Sequence, residues 1–217
     1  MDRIGLPDDA ALAEAGMPAP ARPAGRVLVV ACGALAREIL ALVRLNGWEH
    51  IDLQCLPAIL HNRPERIPDA VEAAVRAAQA AYDRVFVAYA DCGTGGALED
   101  RCRGLGVELI AGPHCYAFFD GLEAFAARGD EEMRAFYLTD FLTRQFDAFV
   151  WRPLGVDRHP ELRDMLFGQY ERLVYLAQTE DPALDAAARA HAARLGLAYE
   201  RRATGYGDLA GALARLG

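Results

Sequence analysis

Arg26-Val27-Leu28-Val29-Val30-Ala31-Cys32-Gly33-Ala34-Leu35-Ala36-Arg37-Glu38 is the stretch on which the fold turns. Five consecutive apolar residues, Val27 to Ala31, suit a strand buried on both faces, as in a parallel sheet. The run stops at Cys32-Gly33. From Ala34 to Asn46 the apolar residues Leu35, Ile39, Leu42 and Val43 follow helical spacing, and Gly47 is a natural C-cap. A second strand is expected from Ile51 to Cys55. The loop His61-Asn62-Arg63-Pro64-Glu65-Arg66-Ile67-Pro68 follows, then an Ala-rich helix from Asp69 to Tyr82.

The same grammar begins again at Arg84. Arg84–Tyr89 reads as a strand, Asp91-Cys92-Gly93-Thr94-Gly95-Gly96 as a turn, Ala97–Gly104 as a helix, and Val107–Ala111 as a strand ending in Gly112-Pro113-His114-Cys115. A helix is expected over Tyr116–Arg128, then a helical middle section. A third copy opens at Arg172, with a helix from Pro182 to Leu195, a strand from Leu197 to Arg201 and the turn Thr204-Gly205-Tyr206-Gly207. Three strand-helix-strand units predict an α/β fold, with mainly parallel sheet flanked by helices. Residues 1–25, rich in Ala and Pro, read as an extended N-terminal arm, and residues 26–217 as one α/β domain carrying a metal site.

Composition narrows the function. The chain has 217 residues, 53% of them hydrophobic and 25% charged, with a net charge of −8. It can fold without staples, and its acidity argues against a nucleic-acid partner. Every one of the 23 basic residues is Arg. Schiff-base and P-loop lysine chemistry are therefore excluded. No window suits a membrane span and no secretory signal is legible, so the expected compartment is the cytoplasm.

In an open parallel sheet, ligands gather at the carboxyl ends of the strands. Cys32 ends the first strand, His61 follows the second, Cys92 follows the third, and His114 and Cys115 follow the fourth. Thiolates and imidazoles so gathered suit a tetrahedral metal, zinc first, or three corners of a [4Fe-4S] cluster. Cys32, Cys92 and Cys115 are thus the expected metal ligands, with His61 and His114 as further ligand or acid/base. The opposing reading makes Cys32 and Cys92 small residues at tight turns. Cys102 lies on the apolar stripe Leu98-Cys102-Leu105 and is assigned to the core; Cys55, inside a strand, is read as structural. Arg63 and Arg66 suit an anionic substrate group, Gly95 offers a backbone N–H, and Tyr137 and Gln178 could wall the site. The expected activity is a metal-dependent enzyme acting on a small anionic molecule by hydrolysis, alkyl transfer or lyase chemistry. The alternatives are a [4Fe-4S] enzyme with an open iron and a non-catalytic metal- or cofactor-handling protein.

Five segments also carry a resemblance: Ala31-Cys32-Gly33-Ala34-Leu35-Ala36-Arg37-Glu38, His61-Asn62-Arg63-Pro64-Glu65, Tyr89-Ala90-Asp91-Cys92-Gly93-Thr94-Gly95-Gly96, Gly112-Pro113-His114-Cys115-Tyr116 and Tyr137-Leu138-Thr139-Asp140-Phe141. Together they resemble the bacterial and archaeal family called domain of unknown function 1638. The resemblance implies a link to one-carbon metabolism, with a corrinoid or methyltransferase partner. A small-molecule substrate and a second copy of the chain are the other expected partners. The three-unit plan is more distantly similar to quinolinate synthase, which holds a [4Fe-4S] cluster. Here the third unit brings no cysteine, and its turns carry Gln178-Thr179 and Gly205-Tyr206 instead.

Overall fold

The computed structural model describes residues 8–21 and 26–216. Its contacts divide into two units, one running up to Cys115 and resuming at Ala210, the other Tyr116–Leu209. The reading from sequence treats everything from residue 26 as one domain.

The first unit opens with α1 (Asp9–Glu14), a helix within the segment expected to be an extended arm. Asp8 caps it, its carboxylate accepting from the Ala10 N–H at 3.1 Å, and Leu12 is 1% exposed. Asp9 pairs with Arg37 at 2.6 Å. Composition suggests an extended arm, whereas Asp9–Glu14 is a capped helical turn docked by one buried leucine and one ion pair. Further along, Met17 forms an antiparallel bridge with Cys55. Residues 1–7 and 22–25 of the expected arm lie outside the described residues.

Strand β1 (Val27–Cys32) is buried throughout, followed by the 3-10 turn Gly33–Leu35, α2 (Ala36–Asn46) and β2 (Ile51–Leu56). The expected loop from His61 is two 3-10 turns, Ala58–Asn62 and Pro64–Arg66. They run into α3 (Ile67–Ala78), which begins ahead of Asp69 because Pro68 fits a first helical turn. Then come β3 (Arg84–Ala88), α4 (Ala97–Leu105) and the short β4 (Glu108–Leu109). All strands pair in parallel, in the order β2-β1-β3-β4. Arg101 of α4 pairs with Asp69 and Glu72 of α3, so these two helices share one face of the sheet. The chain leaves β1 for β2 on one side and returns to β3 on the other, which puts a topological switch between β1 and β3.

Helix α5 (Cys115–Asp120) starts at the thiol itself. The single helix expected over Tyr116–Arg128 is broken at Gly121, where φ is 89°, and resumes as α6 (Leu122–Arg128). After the 3-10 segment Gly129–Arg134 comes β5 (Ala135–Leu138), a strand inside the section read as helical. There follow α7 (Asp140–Arg144), a π-helical turn Asp147–Trp151, α8 (Leu162–Phe167), β6 (Arg172–Ala177), α9 (Pro182–Leu195), β7 (Ala198–Ala203) and α10 (Gly207–Ala214). Strands β5-β6-β7 form a second parallel sheet, over a core that includes Leu138, Phe146, Leu173 and Tyr175. The chain is therefore α/β, with parallel sheets flanked by helices. Among the described residues no helix is long and apolar enough to cross a membrane.

Candidate functional site

Cys32 closes β1 and caps the turn that follows, its Sγ accepting from the Ala34 N–H at 3.3 Å. The Sγ lies 3.6 Å from Nδ1 of His61, which the turn Ala58–Asn62 presents. Nδ1 is also 3.0 Å from the Ala58 carbonyl. That carbonyl can only accept, so it holds the neutral ring's proton on Nδ1 and leaves Nε2 with the lone pair. The ring stacks on Tyr89, with centroids 6.1 Å apart and planes 17° apart.

Cys92 sits in the turn between β3 and α4, with its own N–H bonded to the Pro113 carbonyl at 2.9 Å. Its φ of 47° makes it the one non-glycine residue with positive φ among the described residues. A left-handed backbone costs an L-residue roughly 1–2 kcal/mol. Asp91 holds the turn: its carboxylate accepts from the Thr94 hydroxyl at 2.5 Å, the Gly96 N–H at 2.7 Å and the Gly95 N–H at 3.1 Å. The Thr94 hydroxyl and then the Gly96 N–H hold its pKa below the usual carboxylate range. The Gly95 N–H, expected to face substrate, is thus bonded within its own turn.

Cys115 begins α5, half-buried beside His114. Burial raises its pKa well above that of a free thiol, and the charges of Cys92, Cys32 and Glu38 raise it further. Cys32 is pushed up to about 11, by burial first; the Ala34 N–H and the Tyr89 hydroxyl oppose this, while Glu38 adds to it. Burial works against charge on His61, but Cys92, as hydrogen-bond partner and neighbouring charge, outweighs it and leaves the imidazole pKa raised. Tyr89, 1% exposed, has its own pKa raised by burial and by Cys32, Cys92 and Cys55. The three expected ligands and His61 therefore share one electrostatic neighbourhood at the switch point of the first sheet. Among the described residues, no group of three or more His, Cys, Asp or Glu side chains has a geometry that could hold a metal ion.

Two further residues join this neighbourhood without having been read from sequence as part of it. Glu38 is 4% exposed and acts on Cys32, Cys55 and Cys115. Its signal was legible: at helical spacing between Leu35 and Leu42, it is an acid on an apolar stripe. Tyr89 is the other. Cys55, read as structural, is raised by burial and then by Cys32, so it lies beside the cluster. Cys102 is pushed up to about 11 by burial alone, in keeping with a core position on α4.

Arg63 and Arg66 are exposed on the 3-10 turn next to His61. In the second unit, Tyr137 is buried and stacked on Tyr116 with centroids 5.4 Å apart. Gln178 is a strut there, its Oε1 accepting from the Asp140 N–H at 2.7 Å and its Nε2 donating to the Leu176 carbonyl at 2.5 Å. Asp140 also accepts from the Tyr175 hydroxyl at 2.7 Å and the Thr179 hydroxyl at 2.6 Å.

No curated protein and no solved structure matches the chain. A family model described as "Protein of unknown function (DUF1638)" matches residues 55–213. That span takes in His61, Cys92 and Cys115, while Cys32 precedes it. The chain belongs to the DUF1638 family.

Proposed function

We propose that the chain is a metal-dependent enzyme acting on a small anionic molecule, with a soft metal ion held by Cys32, Cys92 and Cys115 and with His61 or His114 as an exchangeable fourth ligand or as acid/base. The observation that carries this reading is the grouping of these donors at one topological switch point, where parallel sheets place their ligands. The donor set fits zinc in type: thiolate sulfur and imidazole nitrogen. The Cys32 and Cys115 thiols resist ionisation, first because burial disfavours their charge and further because the buried Glu38 carboxylate lies near them. A divalent cation reverses that balance and lets the thiols deprotonate. Binding requires the side chains to close on the ion. With its fourth position left to water or substrate, a zinc ion bound there would supply Lewis acidity to a substrate atom. His61, its Nδ1 proton held by Ala58, offers Nε2 as a ligand or as a proton acceptor.

The same three thiols would leave one iron open in a [4Fe-4S] cluster, and a cofactor-handling role in methyl transfer would need a metal but no turnover. Anaerobic purification followed by elemental analysis decides among them. A colourless protein with about one zinc per chain supports the proposal. A brown protein with iron and sulfide moves it to the cluster. A protein with neither metal, even after reconstitution, refutes it.

A further inference from the structure

Arg63 and Arg66 carry an inference that rests on the reading above and names how its substrate is held. Arg63 precedes the 3-10 turn Pro64–Arg66, and the Arg66 N–H bonds to the Arg63 carbonyl at 3.0 Å. Arg63 stands immediately ahead of the turn and Arg66 closes it, so one short proline-containing segment carries both guanidiniums. Both are exposed, and neither guanidinium has an ion pair or hydrogen bond among the described residues. Elsewhere arginines are heavily paired: Arg101 engages Asp69 and Glu72, and Arg202 engages Asp120 and Glu200. The acid nearest in sequence on the facing turn, Asp91, is committed to Thr94, Gly95 and Gly96.

The turn is also fixed against the cysteine site. A Cβ on Gly93 would meet the Pro64 ring at 3.6 and 3.7 Å, so Pro64 lies over the residue that follows Cys92. His61, two residues before Arg63, has its Nδ1 3.6 Å from Cys32 Sγ. Two like charges three residues apart around a proline-stiffened turn repel each other, and an anion bound between them relieves that repulsion. Guanidinium forks are the side chains best shaped for oxyanions.

We propose that Arg63 and Arg66 form a clamp for the oxyanion group of the substrate, a carboxylate or a phosphate, beside the cysteine–histidine site. Calorimetric titration of the purified full chain with inorganic phosphate and, separately, with malonate tests it, before and after treatment with a chelator. The expected result is binding of one of the two anions, weakened at least tenfold in Arg63→Gln and in Arg66→Gln and lost in the double variant. Arg152→Gln, at an exposed arginine of the other unit, leaves it unchanged. Which anion binds identifies the group. Equal binding by the double variant, or no binding of either anion to the wild type, overturns the clamp. Metal content, measured on the same samples, reports on the metal reading separately: normal metal with unaltered anion binding removes the clamp alone, and anion binding lost with the arginines but no metal removes the metal alone.

Discussion

Cys92 holds a backbone angle that glycine would hold more easily, just ahead of three glycines that also have positive φ: Gly93, Gly95 and Gly96. Strain of this kind persists where the side chain is needed. Glycine ordinarily destabilises a chain relative to alanine, yet at this position the order should invert. Cys92→Gly is expected to exceed Cys92→Ala in stability by about 1 kcal/mol in urea unfolding, because only the alanine keeps the left-handed penalty. An alanine variant as stable as the glycine variant would show that the turn is relaxed. Replacing Cys32, Cys92 or Cys115 singly by Ser should strip most of the bound metal, while Cys102→Ser should retain it; uniform metal content across the four would contradict the assignment. The sequence made these thiols legible because each sits just past an apolar run. Glu38 was legible in principle, as a charge on an apolar helix face, but periodicity alone cannot say what that face meets. Gln178 looked like a wall of the site, and only the fold shows that Asp140 and Leu176 occupy both ends of its amide.

At the scale of elements, strong apolar runs located β1, β3 and β6, and the Gly-bounded helical periods located α2, α4 and α9. Strand β5 went unread because four residues, Ala135–Leu138, are too few for alternation to separate from a helix turn. Helix α1 went unread because its one buried leucine is not a period. Its docking is tight: a Cβ on Gly33 would lie 2.4 Å from the Leu12 carbonyl oxygen. Leu12→Ala should therefore cost about 2–5 kcal/mol by denaturant unfolding, a loss that an idle arm would not show. Helix α9 offers a pH test. His191 stacks on Phe146 at 4.0 Å, and its Nε2–H donates to the Thr143 carbonyl at 3.1 Å. Burial holds its pKa below the ordinary 6.5. The unfolded chain then takes up the proton first, so this contribution to stability is full above pH 6.5 and is lost as the pH falls through the folded value. The melting temperature of the wild type should drop more steeply between about pH 7.5 and 5.5 than that of His191→Gln, and parallel curves would exclude His191 as the cause.

At the scale of the whole molecule, the sequence conveyed an α/β chain with parallel strands, because strand-helix-strand repeats leave little choice of connection. It did not convey that β5-β6-β7 form a sheet of their own, since which strands pair is a non-local matter that apolar runs do not encode. The order β2-β1-β3-β4 is what turns scattered cysteines into one neighbourhood: Cys32 and Cys92 flank the switch, and Cys115 follows β4. The proposed function stands on these three thiols sharing a metal. X-ray absorption at the K-edge of the metal retained by the anaerobically purified protein tests it most directly. A zinc site so built has three sulfur scatterers at about 2.3 Å and one nitrogen or oxygen at about 2.0–2.2 Å. A first shell of oxygen and nitrogen alone would contradict it.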